Sequence, residues 1–169
     1  MKYQIYCDMD SVLTDFPNLF KTKFKRTIEE IKSKYGDGFV WALINKVGEP
    51  FWADMPWMVD GKQLWEYIKS YNPIILSAPA RSANCVSGKI KWIKRELDLN
   101  QPHIIDAKKY KYAKPNHILI DDSKKNIDKW IEAGGIGILH KNTQDTIKQL
   151  QKYGIGKLNN FKEYFDKEA

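Results

Sequence analysis

The chain of 169 residues is short of several things that would have pointed its function elsewhere. It has only two cysteines, Cys7 and Cys85, far apart and with no Cys or His at metal-ligand spacing, which excludes a disulfide framework or a zinc knuckle and leaves reduced core thiols. Of its 28 basic residues only Arg26, Arg81 and Arg95 are arginines, so the planar forks that read guanine or grip phosphate are scarce. No apolar run approaches the roughly 18 residues a membrane span needs, and the start reaches Asp8 before any signal-like stretch, which places the protein in the cytoplasm with no membrane partner. The three histidines, His103, His117 and His140, pair with no Ser or Cys nucleophile and read as structural or surface residues. Internal repeats and low-complexity segments are lacking too.

What is present suits a folded domain. Hydrophobic residues make up 43% and aromatics 13%, enough for a real core, and 29% are charged. The net charge of +7 suits an anionic partner, either a small phosphate ester or a nucleic-acid backbone, and does not choose between them.

Four short apolar runs read as buried parallel strands: Lys2 to Cys7, Ile74 to Leu76, His117 to Ile120 and Ile136 to Leu139. Helical spacing lies between them, at Leu64, Ile68 and Tyr71, at Val86, Ile90, Ile93 and Leu97, at Ile127, Trp130 and Ile131, and at Ile147 and Leu150. Strands alternating with helices predict an α/β fold, a Rossmann-like doubly wound parallel sheet whose ligands bind at the carboxyl ends of the strands. Residues 17–60 break the alternation, with one helical stretch through Phe20, Phe24, Ile28 and Ile31, a turn at Gly36-Asp37-Gly38 and a helix near Phe39 to Val47. They read as a small helical cap inserted into a core made of 1–16 and 61–169. Residues after Tyr153 read as a peripheral tail.

Asp8, Ser77 and Asp121 each close a strand. Asp8-Met9-Asp10 and Asp121-Asp122 would meet there, and like charges about 4 Å apart repel by roughly 4 kcal/mol at an effective dielectric near 20. Such a cluster calls for a cation, and hard oxygen ligands with open positions match Mg²⁺.

Asp8-Met9-Asp10-Ser11-Val12-Leu13-Thr14-Asp15-Phe16 resembles the first motif of the haloacid dehalogenase (HAD) phosphatases, in the form found in 5′(3′)-deoxyribonucleotidases. Leu76-Ser77-Ala78-Pro79 resembles the second motif, and Ile118-Leu119-Ile120-Asp121-Asp122 the fourth. Lys111, ten residues before Asp121, has the spacing of the third-motif lysine, with Lys114 before Pro115 as the alternative. The resemblance implies that Asp8 is a covalent nucleophile and Asp10 the acid/base. It implies Mg²⁺ held by Asp8, the Asp10 carbonyl and one of Asp121 and Asp122. Ser77, Ala78, Lys111 and Arg81 would hold the phosphate. Ser at position 11 and Ala at position 78 depart from the usual Gly and hydroxyl.

Phe51-Trp52-Ala53-Asp54-Met55-Pro56-Trp57-Met58 resembles the aromatic segment that leads out of the cap in deoxyribonucleotidases. Phe16, Phe51 and Trp52 would then stack on a base, whereas Phe20 and Phe24 fill the cap, and Trp57 and Trp65 seal cap to sheet. The implied activity is Mg²⁺-dependent hydrolysis of nucleoside monophosphates. A phosphatase acting on polynucleotide ends and a catalytically silent nucleic-acid-binding protein are the rivals. The lack of an arginine stripe disfavours the latter.

Overall fold

The computed structural model describes residues 2–156, so the tail reading beyond Gly156 lies outside the described residues. Five strands form one sheet: β1 (Gln4–Cys7), β2 (Ile74–Ser77), β3 (His103–Ile105), β4 (His117–Asp121) and β5 (Ile136–Leu139). Their order is β3-β2-β1-β4-β5, and every pairing is parallel. From β1 the chain runs out to β2 and β3 on one side, then crosses to β4 and β5 on the other, so the strand order reverses at β1. That reversal opens the crevice in which doubly wound sheets bind ligands.

The strands read as continuous apolar runs because both faces are covered. Ile5, Cys7, Ile75, Ile118 and Ile120 face helices α5 (Gly61–Ile68), α6 (Cys85–Glu96) and α8 (Thr143–Gln151), while Tyr6, Leu76 and Leu119 pack against Ile127 and Trp130 of α7 (Lys124–Glu132). Successive strand residues point to opposite faces, so one short run feeds both layers.

β3 has no counterpart among the four strands expected from sequence. It is three residues long, half-buried and at the sheet edge, too brief to leave a periodic signal.

Between β1 and α5 lie four helices, α1 (Phe16–Phe24), α2 (Ile28–Tyr35), α3 (Asp37–Val47) and α4 (Glu49–Ala53). The single helical stretch expected through Phe20 and Ile31 is thus two. Lys25 ends α1 in the left-handed conformation (φ 59°), and Thr27 opens α2 with a capping box, its hydroxyl accepting from the Glu30 N–H while Glu30 accepts from the Thr27 N–H. Phe20 and Phe24 pack within this unit, their ring centroids 4.6 Å apart and their planes tilted by 58°.

The outgoing and returning chains meet at its base. Asp15 N–H donates to Pro56 O (2.8 Å), Met58 N–H donates to Leu13 O (2.7 Å), and Thr14 bridges Trp57. Gly61 permits this approach, since a Cβ there would stand 2.8 Å from Leu13 O. Beyond the base, α4 lies along α6. Trp92 Nε1 donates to Met55 O (2.8 Å), an Arg95 guanidinium N–H to Ala53 O (2.7 Å), and Lys91 pairs with Glu49.

Candidate active site

Register carries the acidic residues together. Cys7 is level with Ile75 of β2 and Ile120 of β4, so Asp8, Ser77 and Asp121 emerge from adjacent strand ends. After Asp8 the chain turns sharply, the Met9 carbonyl accepting from the N–H groups of Val12, Leu13 and Thr14. Ser11 sits in this turn at φ 64°, the conformation that explains why glycine is usual at that place in the motif it resembles. The turn brings Asp10 back over the strand ends, where Thr14 Oγ1 donates to its Oδ1 at 3.1 Å.

The lysine at the centre of the cluster is Lys109, which sequence spacing did not select. Its Nζ lies 2.8 Å from Asp8 Oδ1 and 2.6 Å from Asp121 Oδ2, and it is 3% exposed. Lys111 instead reaches the surface beside Asp106 (3.7 Å), and Lys114 is exposed. The physical reason is a 3-10 turn over Lys109–Tyr112, which aims its first side chain into the cleft and the third outward.

Asp121 is fully buried and held from three sides. Besides Lys109, it accepts from Ser123 N–H (2.8 Å) and Asn126 Nδ2 (3.1 Å). Burial pushes the Asp8 carboxyl well above the usual carboxylate range. The Lys109 ammonium opposes this, while the Asp121 and Asp10 carboxylates add to it. Burial alone would lower Lys109, but Asp8 and Asp121 outweigh it and hold the ammonium above the usual lysine range.

One oxygen each of Asp8, Asp121 and Asp122 lie within 4.8 Å of one another. Three hard carboxylate donors brought together in this way fit a small divalent cation that keeps open positions for water or phosphate. Asp122 is the exposed member of the three.

A second lysine was missed altogether. Lys89 of α6 is 1% exposed, and its Nζ donates to Asp10 Oδ2 (2.7 Å), Ser77 Oγ (2.8 Å) and Ala78 O (2.8 Å). A sequence signal existed, because Cys85, Lys89, Trp92 and Ile93 share the buried face of α6 and a lysine on such a stripe needs partners. Of the expected face through Val86, Ile90, Ile93 and Leu97, Ile93 is fully buried and Ile90 and Leu97 half-buried, whereas Val86 is 41% exposed.

The remaining expected residues are less central. Ser77 is fully buried and Ala78 half-buried, both bound to Lys89. Arg81 points to solvent, its nearest carboxylate Asp37 at 3.7 Å, so it does not join Ser77. Phe51 and Trp52 are buried, at 0% and 1% exposure, and Phe16 lies against both at centroid distances of 5.5 and 5.7 Å. Only Phe16 keeps a partly open ring, so these three do not leave the expected slot for a base. The histidines are structural. His117 Nδ1 meets Tyr112 O, His103 Nδ1 meets Gln101 O, and His140 Nδ1 meets Thr146 Oγ1. Both cysteines are buried free thiols, and among the described residues no helix is long and apolar enough to cross a membrane.

No protein-family model matches the sequence, and no curated protein matches it. Solved structures do. A hydrolase from Streptococcus pneumoniae TIGR4 is similar over 89% of this chain and 100% of its own, with a TM-score of 0.53 and 14% identity. L-2-haloacid dehalogenase from Xanthobacter autotrophicus is similar over 87% of this chain and 88% of its own, with a TM-score of 0.51 and 9% identity. The structure of that dehalogenase with chloropropionic acid covalently bound is similar over 97% of this chain and 88% of its own, at a TM-score of 0.51 and 10% identity. The chain therefore shares the Rossmann-like α/β fold of these solved structures, with its acidic residues at the strand ends where doubly wound sheets bind ligands.

Proposed function

We propose that the protein is a Mg²⁺-dependent phosphomonoesterase of the HAD superfamily, with Asp8 as nucleophile. The observation that carries this reading is the meeting of Asp8, Lys109 and Asp121 within hydrogen-bond distance at adjacent strand ends, with Asp10 two residues beyond the nucleophile.

In this reading Asp8, the Asp10 carbonyl and Asp121 or Asp122 would hold Mg²⁺, which would supply neutralisation of the phosphoryl charge when bound. The Asp8 carboxylate attacks phosphorus, forming the acyl-phosphate bond as the ester P–O bond breaks. Asp10 gives its proton to the leaving oxygen, then takes one from the water that attacks the aspartyl-phosphate, so the proton count closes over the cycle. Lys109 supplies the fixed positive charge beside Asp8, and Ser77 lines the phosphate side of the cleft.

The helices between residues 17 and 60 act as a cap over the strand ends. The substrate is a small phosphate ester, for which nucleoside monophosphates are the first candidates on the sequence resemblance, with the half-open Phe16 as the ring available to a base. A polynucleotide end is less suited, because the basic surface is rich in lysine and poor in arginine.

The test is phosphate release from a panel of nucleoside monophosphates, sugar phosphates and p-nitrophenyl phosphate with Mg²⁺, run beside chloride release from 2-chloropropionate. Phosphate release without chloride release supports the proposal, and the reverse would replace it with dehalogenation. Release from sugar phosphates but not nucleotides would remove the nucleotide specificity alone.

A further inference from the structure

We propose that Lys89 is a positioning residue for Asp10 and that Trp52, from α4, holds Lys89 in that task. This deepens the phosphomonoesterase reading and rests on it. It also gives Trp52 a different occupation from base stacking.

The ammonium of Lys89 has three N–H donors and three acceptors at 2.7–2.8 Å: Asp10 Oδ2, Ser77 Oγ and Ala78 O. No donor is left over for a phosphoryl oxygen. Among the described residues Lys109 has two carboxylate partners, so the two buried lysines divide the work. Asp10 is gripped from both sides, Oδ1 by Thr14 and Oδ2 by Lys89, which fixes the plane of its carboxylate. A shift of about 1 Å in such a group can cost a hundredfold in rate.

Lys89 is held in turn. Its Nζ lies 5.4 Å from the centroid of the Trp52 ring, a cation–π contact between two buried side chains. Trp52 is anchored by Nε1 donating to Ser82 Oγ at 3.2 Å, in the loop that follows β2. Gly88 makes the approach achievable, because a Cβ there would stand 2.5 Å from Trp52 Cβ and 2.9 Å from Glu49 O. The chain leaving the helical insertion therefore presses on the lysine that aims the acid/base residue. A buried lysine with every donor used, covered by a buried indole, is an expensive arrangement to keep for packing alone.

Rapid-quench kinetics with p-nitrophenyl phosphate and with a nucleoside monophosphate distinguish the roles. In Lys89→Met, attack by Asp8 on the p-nitrophenyl ester still proceeds because its leaving group needs little protonation, but release of the phosphoryl group is slowed. The expected record is a burst of about one p-nitrophenol per site, then a steady-state kcat lower by about 100-fold or more, with KM for this ester falling in step so that kcat/KM is nearly kept. Trp52→Phe keeps a ring in place and is expected to lower kcat by about tenfold on both esters, and to add nothing in the Lys89→Met background. A raised KM with kcat kept would make Lys89 a phosphate ligand and overturn the proposal. So would a Trp52→Phe effect confined to nucleotides. If Lys89→Met does not fold, the Trp52→Phe comparison between esters decides by itself. Wild-type protein inactive on every phosphate ester would instead overturn the phosphomonoesterase reading beneath it.

Discussion

Lys109 Nζ lies 2.8 Å from Asp8 Oδ1 in a site that is nearly closed to solvent, so the proposed nucleophile is held by a fixed cation of the protein. The same Nζ is shared with Asp121. Its removal leaves two buried carboxylates facing each other without a neutralising group. Lys109→Met is expected to abolish turnover and, in chelator, to destabilise the fold by about 3–5 kcal/mol, with part of the loss recovered on adding Mg²⁺. Urea denaturation with and without Mg²⁺ measures this. Lys111→Met, on the exposed side of the same turn, should leave kcat/KM and stability near those of the wild type.

Asp8→Asn keeps the shape of the nucleophile and removes its charge. Turnover should fall below detection while the circular dichroism spectrum and melting cooperativity stay those of the wild type. Measurable hydrolysis by a preparation free of wild-type enzyme would show that another group attacks phosphorus.

Activity should be lost in excess chelator and restored by Mg²⁺, with Ca²⁺ a poor substitute because its larger, looser shell misplaces the attacking carboxylate. Full turnover in chelator would remove the metal from the mechanism.

Gly88 lets α4 lie close against α6. Gly88→Ala forces a methyl group against Trp52 Cβ and the Glu49 carbonyl, and backbone on one side cannot give way cheaply. The expected cost is about 1–3 kcal/mol in urea denaturation, as for other overpacked interiors. A neutral result would mean that α4 lifts freely from α6.

His140 links stability to pH. Burial holds its imidazole below the ordinary histidine range, with Asp60 and Asp145 opposing, so the unfolded chain takes up a proton at higher pH than the folded one does. Its contribution is therefore present above the unfolded value of 6.5 and is lost as pH falls from there through the folded value. His140→Gln should flatten the decline in stability between neutral and mildly acidic pH. An unchanged slope would assign that decline to other groups.

The sequence announced the sheet better than it announced the site. Strand ends at Asp8, Ser77 and Asp121 were legible because a run buried on both faces is apolar throughout and stops abruptly at a polar residue. β3 was not, since three half-buried residues at an edge carry no period. The break between α1 and α2 depended on one left-handed lysine, a conformation that side-chain identity barely signals. Lys109 and Lys89 were hidden for different reasons. The first depends on the pitch of a short 3-10 turn, and the second is an ordinary helix-forming residue whose burial is set by what α4 lays across it. Phe51 and Trp52 were found as an aromatic pair, but spacing could not reveal that both would be consumed in contacts with Phe16 and α6.

The neck formed by Leu13, Asp15, Pro56 and Met58 has a consequence for how this architecture can be altered. Because the two strands of the neck are already hydrogen-bonded side by side, the helices beyond it form a closed loop whose ends do not move when its contents change. Closing a loop of twice the length costs only about 0.6 kcal/mol more in chain entropy. A longer or shorter module could thus be grafted at Phe16 and Pro56 with the nucleophile turn undisturbed, provided that it still delivers an aromatic side chain onto Lys89.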